Sequence, residues 1–493
     1  MTTSLTAPAP PATASTVAGG AALPAKFADL LPGIIARAES TGWEPWLAHV
    51  AGAAGCASPV RLRGDLITAD GTTGHILSAR TTHTMPDGVV YKACGTRRAH
   101  LCPSCAKTYQ HDAFHLIRSG LTGGKGVPAT VVGHPAVFVT FTAPAFGPVH
   151  ARRRTASGAV APCHARRDAQ VCPHGVTLAC AARHGEDAPE LGQPLCLDCY
   201  DHAAQVVWNG FAGELWRRTR IGLDRALART AKAAGLDPAS VRLRYVKVAE
   251  FQRRGAIHFH ALIRLDGHLP GDDAVIPPPP VLDAETIAAL VTDAAAGTEF
   301  TTPGHAERPG GWRIGWGSQI DVRTVELGAG ELTEGHAAGY LAKYATKATE
   351  DTGHVSRRLT EDTVEAYADP AGDHIARLIH ACWSLGEPGG QWLRLRRWAH
   401  MLGFGGHFLT KARVWSTTFA SLREARAAWT RCQLGVDTAE PDTTVLVNHL
   451  VYDGQGWHTE ADALMANSAA ARAREQRQVA REELWSIQES SIY

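Results

Sequence analysis

Apolar positions fill nearly all of Gly255–Ile263, with His258 and His260 as the polar exceptions, so this stretch predicts a buried strand. Alternation and β-branched residues predict another strand over Ala136–Thr142, and Val241–Phe251 predicts a third. Gln252-Arg-Arg-Gly255 would join that third strand to the histidine strand as a hairpin. Trp312–Val325, passing Trp316, Ile320 and Val322, alternates enough for a fourth strand. Helical patterning covers Phe27–Val50 (interrupted at Pro32-Gly33), Ala106–Gly120, Asp201–Ala234, Asp283–Ala296 and Glu331–Glu350. It returns over Ile375–Ser384, Ser421–Trp429 and Ala461–Gln488, with Leu446–Trp457 as strand and turn. Proline-rich Pro270–Pro280, Gly304–Gly311 and the glycine-rich Gly403–Thr410 read as connections. Strand, insertion, two strands, helix, strand and helix, in that order, predict an α+β fold with a central antiparallel sheet backed by helices.

Two of these elements carry chemistry. On a strand, residues two apart share a face, so His258 and His260 project together and can hold one metal ion. Glu250 would end the partner strand beside them. In Tyr340-Leu-Ala-Lys-Tyr-Ala-Thr-Lys347, helical spacing puts Tyr340, Lys343, Tyr344 and Lys347 on one face. Leu341, Ala345 and Ala348 would form the inward face. A phenol is a poor nucleophile at its ordinary pKa of about 10, but nearby cations favour phenolate and a metal neutralises a phosphate under attack.

The pattern His-hydrophobic-His followed by Tyr-x-x-Lys-Tyr-x-x-Lys resembles the HUH endonucleases, and the paired tyrosines resemble rolling-circle replication initiators. Val137-Phe-Val-Thr-Phe-Thr142 resembles that family's first motif, and the three pieces stand in the family's order. The Cys-rich segments and Glu250-Phe-Gln-Arg-Arg-Gly-Ala-Ile-His-Phe-His260 resemble initiators of actinobacterial plasmids and integrative elements. The resemblance implies an HUH-type sheet and a metal-dependent nickase. Tyr344 would attack an origin DNA strand, giving a 5′-phosphotyrosine and a free 3′-hydroxyl, with Tyr340 as second nucleophile or as a supporting residue, and Lys343 and Lys347 in support. It also implies a third, polar metal ligand, for which Glu250 stands in the right place, and Mg²⁺ or Mn²⁺ suits two histidines with a carboxylate. Rolling-circle transposases and relaxases share this chemistry, although relaxases usually place the tyrosine ahead of the histidines. A zinc-ribbon protein that only binds DNA is the non-enzymatic alternative.

Eleven cysteines, an odd count with two CxxC pairs, favour zinc in a reducing cytoplasm over disulfides. Cys102-Pro-Ser-Cys105 with Cys94 and Cys56 makes one expected zinc site, His100 or His111 being able to replace Cys56. Cys172, Cys180, Cys196 and Cys199 make a second, with Cys163, His174 and His184 as alternates. Net charge is only +1, but Trp216–Arg254 holds eleven Lys or Arg against three acids. Arg217, Arg218, Arg220, Arg253 and Arg254 are therefore the expected DNA contacts, with single-stranded DNA at the nick. No P-loop is present, so unwinding and synthesis would fall to a host helicase and polymerase. No run approaches the ~18 apolar residues of a membrane helix, and 1–25 looks like a disordered leader with no signal-peptide charge pattern. The expected divisions are this leader, an N-terminal zinc module (26–125), a core (130–155 and 240–350) and an inserted zinc module with a basic helix (156–239). A helical region (351–440) and a tail with a charged helix (441–493) complete the chain.

Overall fold

The computed structural model describes residues 25–168, 170–325, 334–346, 357–433 and 444–490. The chain divides into two compact units, Met1–Cys94 with Thr443–Tyr493, and Gly95–Asp442. The segment expected as a C-terminal tail thus belongs with the N-terminal residues.

In the first unit, strand Val60–Asp70 pairs antiparallel with Thr444–Gln455 on one side and with Ile76–Thr81 on the other. Trp46, Val50, Tyr91, Trp457 and Met465 form its core. Asp87 ties it together, accepting from Trp46 Nε1 (2.7 Å), Tyr91 Oη (2.9 Å) and Arg37 (2.9 Å). The first helix runs through Pro32 to Ala38 instead of breaking there. The carbonyl that Pro32 leaves unpaired, that of Ala28, belongs to an exposed residue that water can satisfy.

The second unit is built on a five-stranded antiparallel sheet. Its elements in chain order are α1 (Pro103–Thr122), β1 (Ala136–Phe141), α2 (His202–Ala233), β2 (Val241–Phe251) and β3 (Ile257–Gly267). There follow α3 (Ala284–Ala296), β4 (Ile320–Thr324), α4 (Glu334–Tyr344), α5 (His374–Leu385), β5 (Leu409–Lys411) and α6 (Phe419–Gln433). The strand order is β4-β1-β3-β2-β5, all neighbours antiparallel. Local signals set several boundaries. Pro103 occupies the first turn of α1, where a missing N–H costs nothing. Asp201, Asp283 and Asp373 cap α2, α3 and α5 by accepting backbone N–H groups.

Alternation divides the sheet into two faces. Val137, Val139, Phe259 and Ala249 point to one, where α2, α3 and α5 cover them. Ala136, Phe138, Leu262, Val246 and Val248 point to the other, where α1 and α4 lie. The strand expected over Trp312–Val325 breaks into Arg313–Gly315 and Ile320–Thr324. At the break Gly317 donates its N–H to the Thr142 carbonyl (2.8 Å), and any Cβ there would stand 2.6 Å from the Ala143 oxygen.

Candidate active site

The register of the β2–β3 hairpin places Glu250 opposite His258, and Val248 opposite His260. The connecting turn needs a glycine: Gly255 has φ +75°, and a Cβ there would meet the Leu402 side chain at 2.7 Å. Side chains from the covering helices lock this turn. Asn209 donates to the Gly255 carbonyl (2.9 Å) and accepts from the Ile257 N–H (3.0 Å). Gln205 and His374 both donate to the Arg254 carbonyl, at 2.8 and 2.9 Å.

On the α4 side of the sheet, Glu250 Oε2 lies 2.8 Å from His258 Nε2 and 3.0 Å from His260 Nε2. An ion about 2.1 Å from each ligand would separate neighbouring octahedral ligands by about 3.0 Å, so the three atoms fit one face of such a site. Opposite positions would stay open. The other ring nitrogen of His260 lies 3.1 Å from Thr140 Oγ1, which fixes the ring so that Nε2 faces Glu250. The Phe-x-Thr-x-Thr pattern therefore has a physical role that its spacing alone does not reveal. Phe138 stacks on the His260 ring, and Thr142 donates to the Gln319 carbonyl. Burial pushes the His260 pKa down, only partly offset by the Glu250 carboxylate. Burial would raise Glu250, but bonding to both histidines holds its carboxyl below the usual range. Both shifts keep His260 neutral and Glu250 ionised, the states a metal needs.

Helix α4 approaches the sheet closely because its inward face is small: Ala337, Ala338, Leu341, Ala342 and Ala345 are buried. Ala337, Ala338 and Ala342 extend that face beyond the expected Leu341 and Ala345, and Ala348 lies outside the described residues. Tyr340 and Tyr344 stand over the histidines, with ring centroids 5.0 and 5.7 Å from His260 and 4.5 Å from each other. Lys343 Nζ lies 5.9 Å from the centre of the Tyr344 ring, while Lys347 lies outside the described residues. Burial, and after it the neighbouring Tyr344 and Glu250, raises the Tyr340 pKa above the ordinary phenol value.

Residues 42–471 match the family described as replication initiator protein, pSAM2. The chain belongs to that replication initiator family. A replication initiator protein of Streptomyces ambofaciens is 42% identical over 438 residues, covering 86% of this chain and 89% of that protein. No solved structure matches it.

The initiator's other expected residues are placed as follows. In the inserted module Cys172, Cys196 and Cys199 converge, but with His174 as the fourth member. Cys180, expected among them, instead stands with His150, Cys163 and His184. The reason is a short antiparallel bridge between His164 and Cys180, which draws Cys180 away from the CxxC pair. His150 carries no spacing signal and was not expected. In the first unit the Cys94 N–H donates to Cys56 Sγ (3.3 Å). In the second, Cys102 caps α1 and Cys105 sits in its first turn.

Arg217, Arg218 and Arg220 lie on α2, across the sheet from the tyrosines, and Glu214 and Asp224 pair with them. Arg253 bonds the carbonyls of Glu186 and Ala188, which braces the insertion against the hairpin, and Arg254 bonds that of Ala143 just past β1. A different basic surface adjoins the site, in a groove of about 760 Å³ lined by Arg97, Arg98, Arg357, Arg358, Trp398 and Phe408. Arg97 donates to the Ala345 carbonyl beside Tyr344, and the Phe408 carbonyl accepts from Ala249 beside Glu250. Among the described residues no helix is long and apolar enough to cross a membrane.

Proposed function

We propose that this initiator nicks one strand of an origin DNA by transferring it to tyrosine, so beginning rolling-circle replication on an HUH-type sheet. The observation that supports this most strongly is the convergence of Glu250, His258 and His260 with two phenols on one face of the sheet. Glu250, His258 and His260 would hold Mg²⁺ or Mn²⁺, which when bound polarises the scissile phosphate and offsets its charge. The Tyr344 oxygen attacks phosphorus, giving up its proton. A P–O(Tyr) bond forms, the bond to the 3′ oxygen breaks, and that oxygen takes a proton to leave as the 3′-hydroxyl. The phosphotyrosine keeps the bond energy, so the 3′-hydroxyl of a completed strand can reverse the step. Tyr344 acts first in this scheme, because burial, and after it the neighbouring Tyr344 and Glu250, favour the protonated form of the Tyr340 phenol. Tyr340 then serves as the second nucleophile. Lys343 and Lys347 supply cations beside the phenols and the phosphate.

Single-stranded DNA reaches the site along the groove of Arg97, Arg98, Arg357 and Arg358, where cations track the backbone and the half-buried Trp398 adds an aromatic surface. Zinc at Cys172, His174, Cys196 and Cys199 holds the insertion. The protein would act in the cytoplasm with a host helicase and polymerase.

The test is cleavage of supercoiled plasmid carrying the element's own origin, with Mg²⁺ or Mn²⁺, followed by detection of protein joined to the 5′ end. Tyr344→Phe is expected to abolish the covalent product, and Tyr340→Phe to allow it but block strand closure. Undiminished nicking by the double variant would sink the tyrosyl scheme. Tight origin binding without nicking by the parent would favour a non-catalytic DNA-binding role.

A further inference from the structure

We propose that the inserted module holds two zinc ions, the second at His150, Cys163, Cys180 and His184, and that the two sites interlock. This does not depend on the nicking reaction.

Tetrahedral zinc, with bonds of about 2.3 Å to sulfur and 2.0–2.1 Å to nitrogen, sets ligand separations of about 3.8 Å (S–S), 3.6 Å (S–N) and 3.3 Å (N–N). His150 Nδ1 lies 3.2 Å from His184 Nε2, Cys180 Sγ 3.6 Å from His184 Nε2, and Cys163 Sγ 3.9 Å from His150 Nδ1. All four donor atoms fall within 4.8 Å of one another. The first site has the same dimensions: Cys172 and Cys196 sulfurs are 3.6 Å apart, and His174 Nδ1 lies 3.2 Å from Cys199 Sγ.

The surroundings match a metal centre in two further ways. The second nitrogen of His184 faces the Glu190 carboxylate at 3.8 Å, a negative charge on the side of the ring away from the donor cluster. The Ala151 N–H points at Cys163 Sγ from 3.1 Å, offsetting the charge of a thiolate. His164 Nδ1, 3.1 Å from the same sulfur, adds a second donor. Without an ion, burying Cys163 and His184 together would leave soft donors crowded against one another with little to gain.

Chain order supplies the interlock. His150 and Cys163 belong to the new site, Cys172 and His174 to the other, Cys180 and His184 to the new, and Cys196 and Cys199 to the other. Each ion therefore closes a loop that contains ligands of its neighbour, and neither half of the insertion can form alone. The new site also anchors the exit of β1: Val149, Ala151 and His164 line a groove with Thr142, Arg253 and Arg254. The ion fixes one wall of that groove.

The test reads individual cysteines in the unmodified, zinc-loaded protein, by mass-resolved alkylation before and after a strong chelator. Cys432, exposed, reports free reactivity, and Cys382, fully buried on α5 and outside every metal group, reports global unfolding. Cys163 and Cys180 are expected to react only after chelation, together with Cys172, Cys196 and Cys199, while Cys382 stays protected. Zinc content of the Cys163→Ser/Cys180→Ser variant should fall by at least one equivalent per chain, and by two if interlocking carries the first ion away with it. Alkylation of Cys163 and Cys180 that ignores the chelator, or an unchanged zinc content in the variant, would overturn the second site. Loss of only one equivalent, with Cys172, Cys196 and Cys199 still protected, would overturn the interlock.

Discussion

The two ends of β3 handle charge in opposite ways. At one end Arg264 grips Asp266 through Nε and Nη2 at 2.6 and 2.7 Å, donates also to the Gly120 carbonyl and lies against the Trp415 ring. His134 bonds the same carboxylate at 2.8 Å. The Arg264 and Asp266 side chains are 0% and 1% exposed. At the other end, on the same face, one Glu250 oxygen lies between two imidazoles, and Glu250 and His258 are 12% and 14% exposed. In the first cluster the guanidinium and the carboxylate saturate each other, while His134 Nε2 and Trp415 Nε1 stay buried without a hydrogen-bond partner. The second brings three donor groups together and leaves them partly exposed, the arrangement that the proposed cation requires.

The comparison is broken most severely by removing one partner at each end. Arg264→Ala would leave Asp266 buried with only His134 and the more distant Arg244 at 3.8 Å, so stability should fall by about 3 kcal/mol, measured by denaturant unfolding of the second unit's transition. Glu250→Gln should leave stability within about 1 kcal/mol while lowering metal-dependent nicking by on the order of 10²–10³-fold. Equal stability losses at the two ends would erase the distinction.

Acid should separate a third cluster from both. His202 Nε2 lies 3.1 Å from His374 Nδ1, and burial pushes both pKa values down to about 4. The unfolded chain takes up these protons near pH 6.5 but the folded chain does not, so the pair's contribution is complete above 6.5 and is lost as pH falls towards about 4. Across that window the loss should be on the order of 3 kcal/mol for each histidine. Burial opposes ionisation of Asp266, but His134 and Arg264 hold its pKa below the ordinary value, so its share persists here and fails only below about pH 4. A melting temperature flat from pH 7 to 4.5 would contradict this account of the histidine pair.

How much of this was legible in the sequence depended on the distance over which each feature is decided. The hairpin and the convergence of Glu250, His258 and His260 were readable because period-two alternation and an eleven-residue strand on each side put Glu250 opposite His258. The tyrosine face was readable from helical spacing. The first unit's sheet was not, because Val60–Asp70 finds its partner at Thr444–Gln455, across most of the chain. Zinc ligands were recognisable as a pool, but their division required the His164–Cys180 bridge, which no spacing encodes. The basic run on α2 is partly charge-paired for a local reason that net charge counts miss: Glu214, just ahead of it, pairs with both Arg217 and Arg218 at helical spacing.

The finest test of the comparison lies one layer behind the metal ligands. Thr140 touches no proposed substrate, yet its hydroxyl, 3.1 Å from His260 Nδ1, sets which nitrogen faces Glu250. Thr140→Val keeps the shape and β-branching of the strand residue but removes that bond, so the fold should persist while metal affinity falls about 10–100-fold. Titrating Mn²⁺ against nicking should show a raised half-saturation point with an unchanged plateau, and Thr140→Ser should restore most of the affinity. A lowered plateau at saturating metal would mean that Thr140 acts on the phenols or the DNA. A fall in stability without any change in half-saturation would make the Thr140 bond a packing device like that of Arg264, and the contrast between the two ends of β3 would then lie in the three ligands alone.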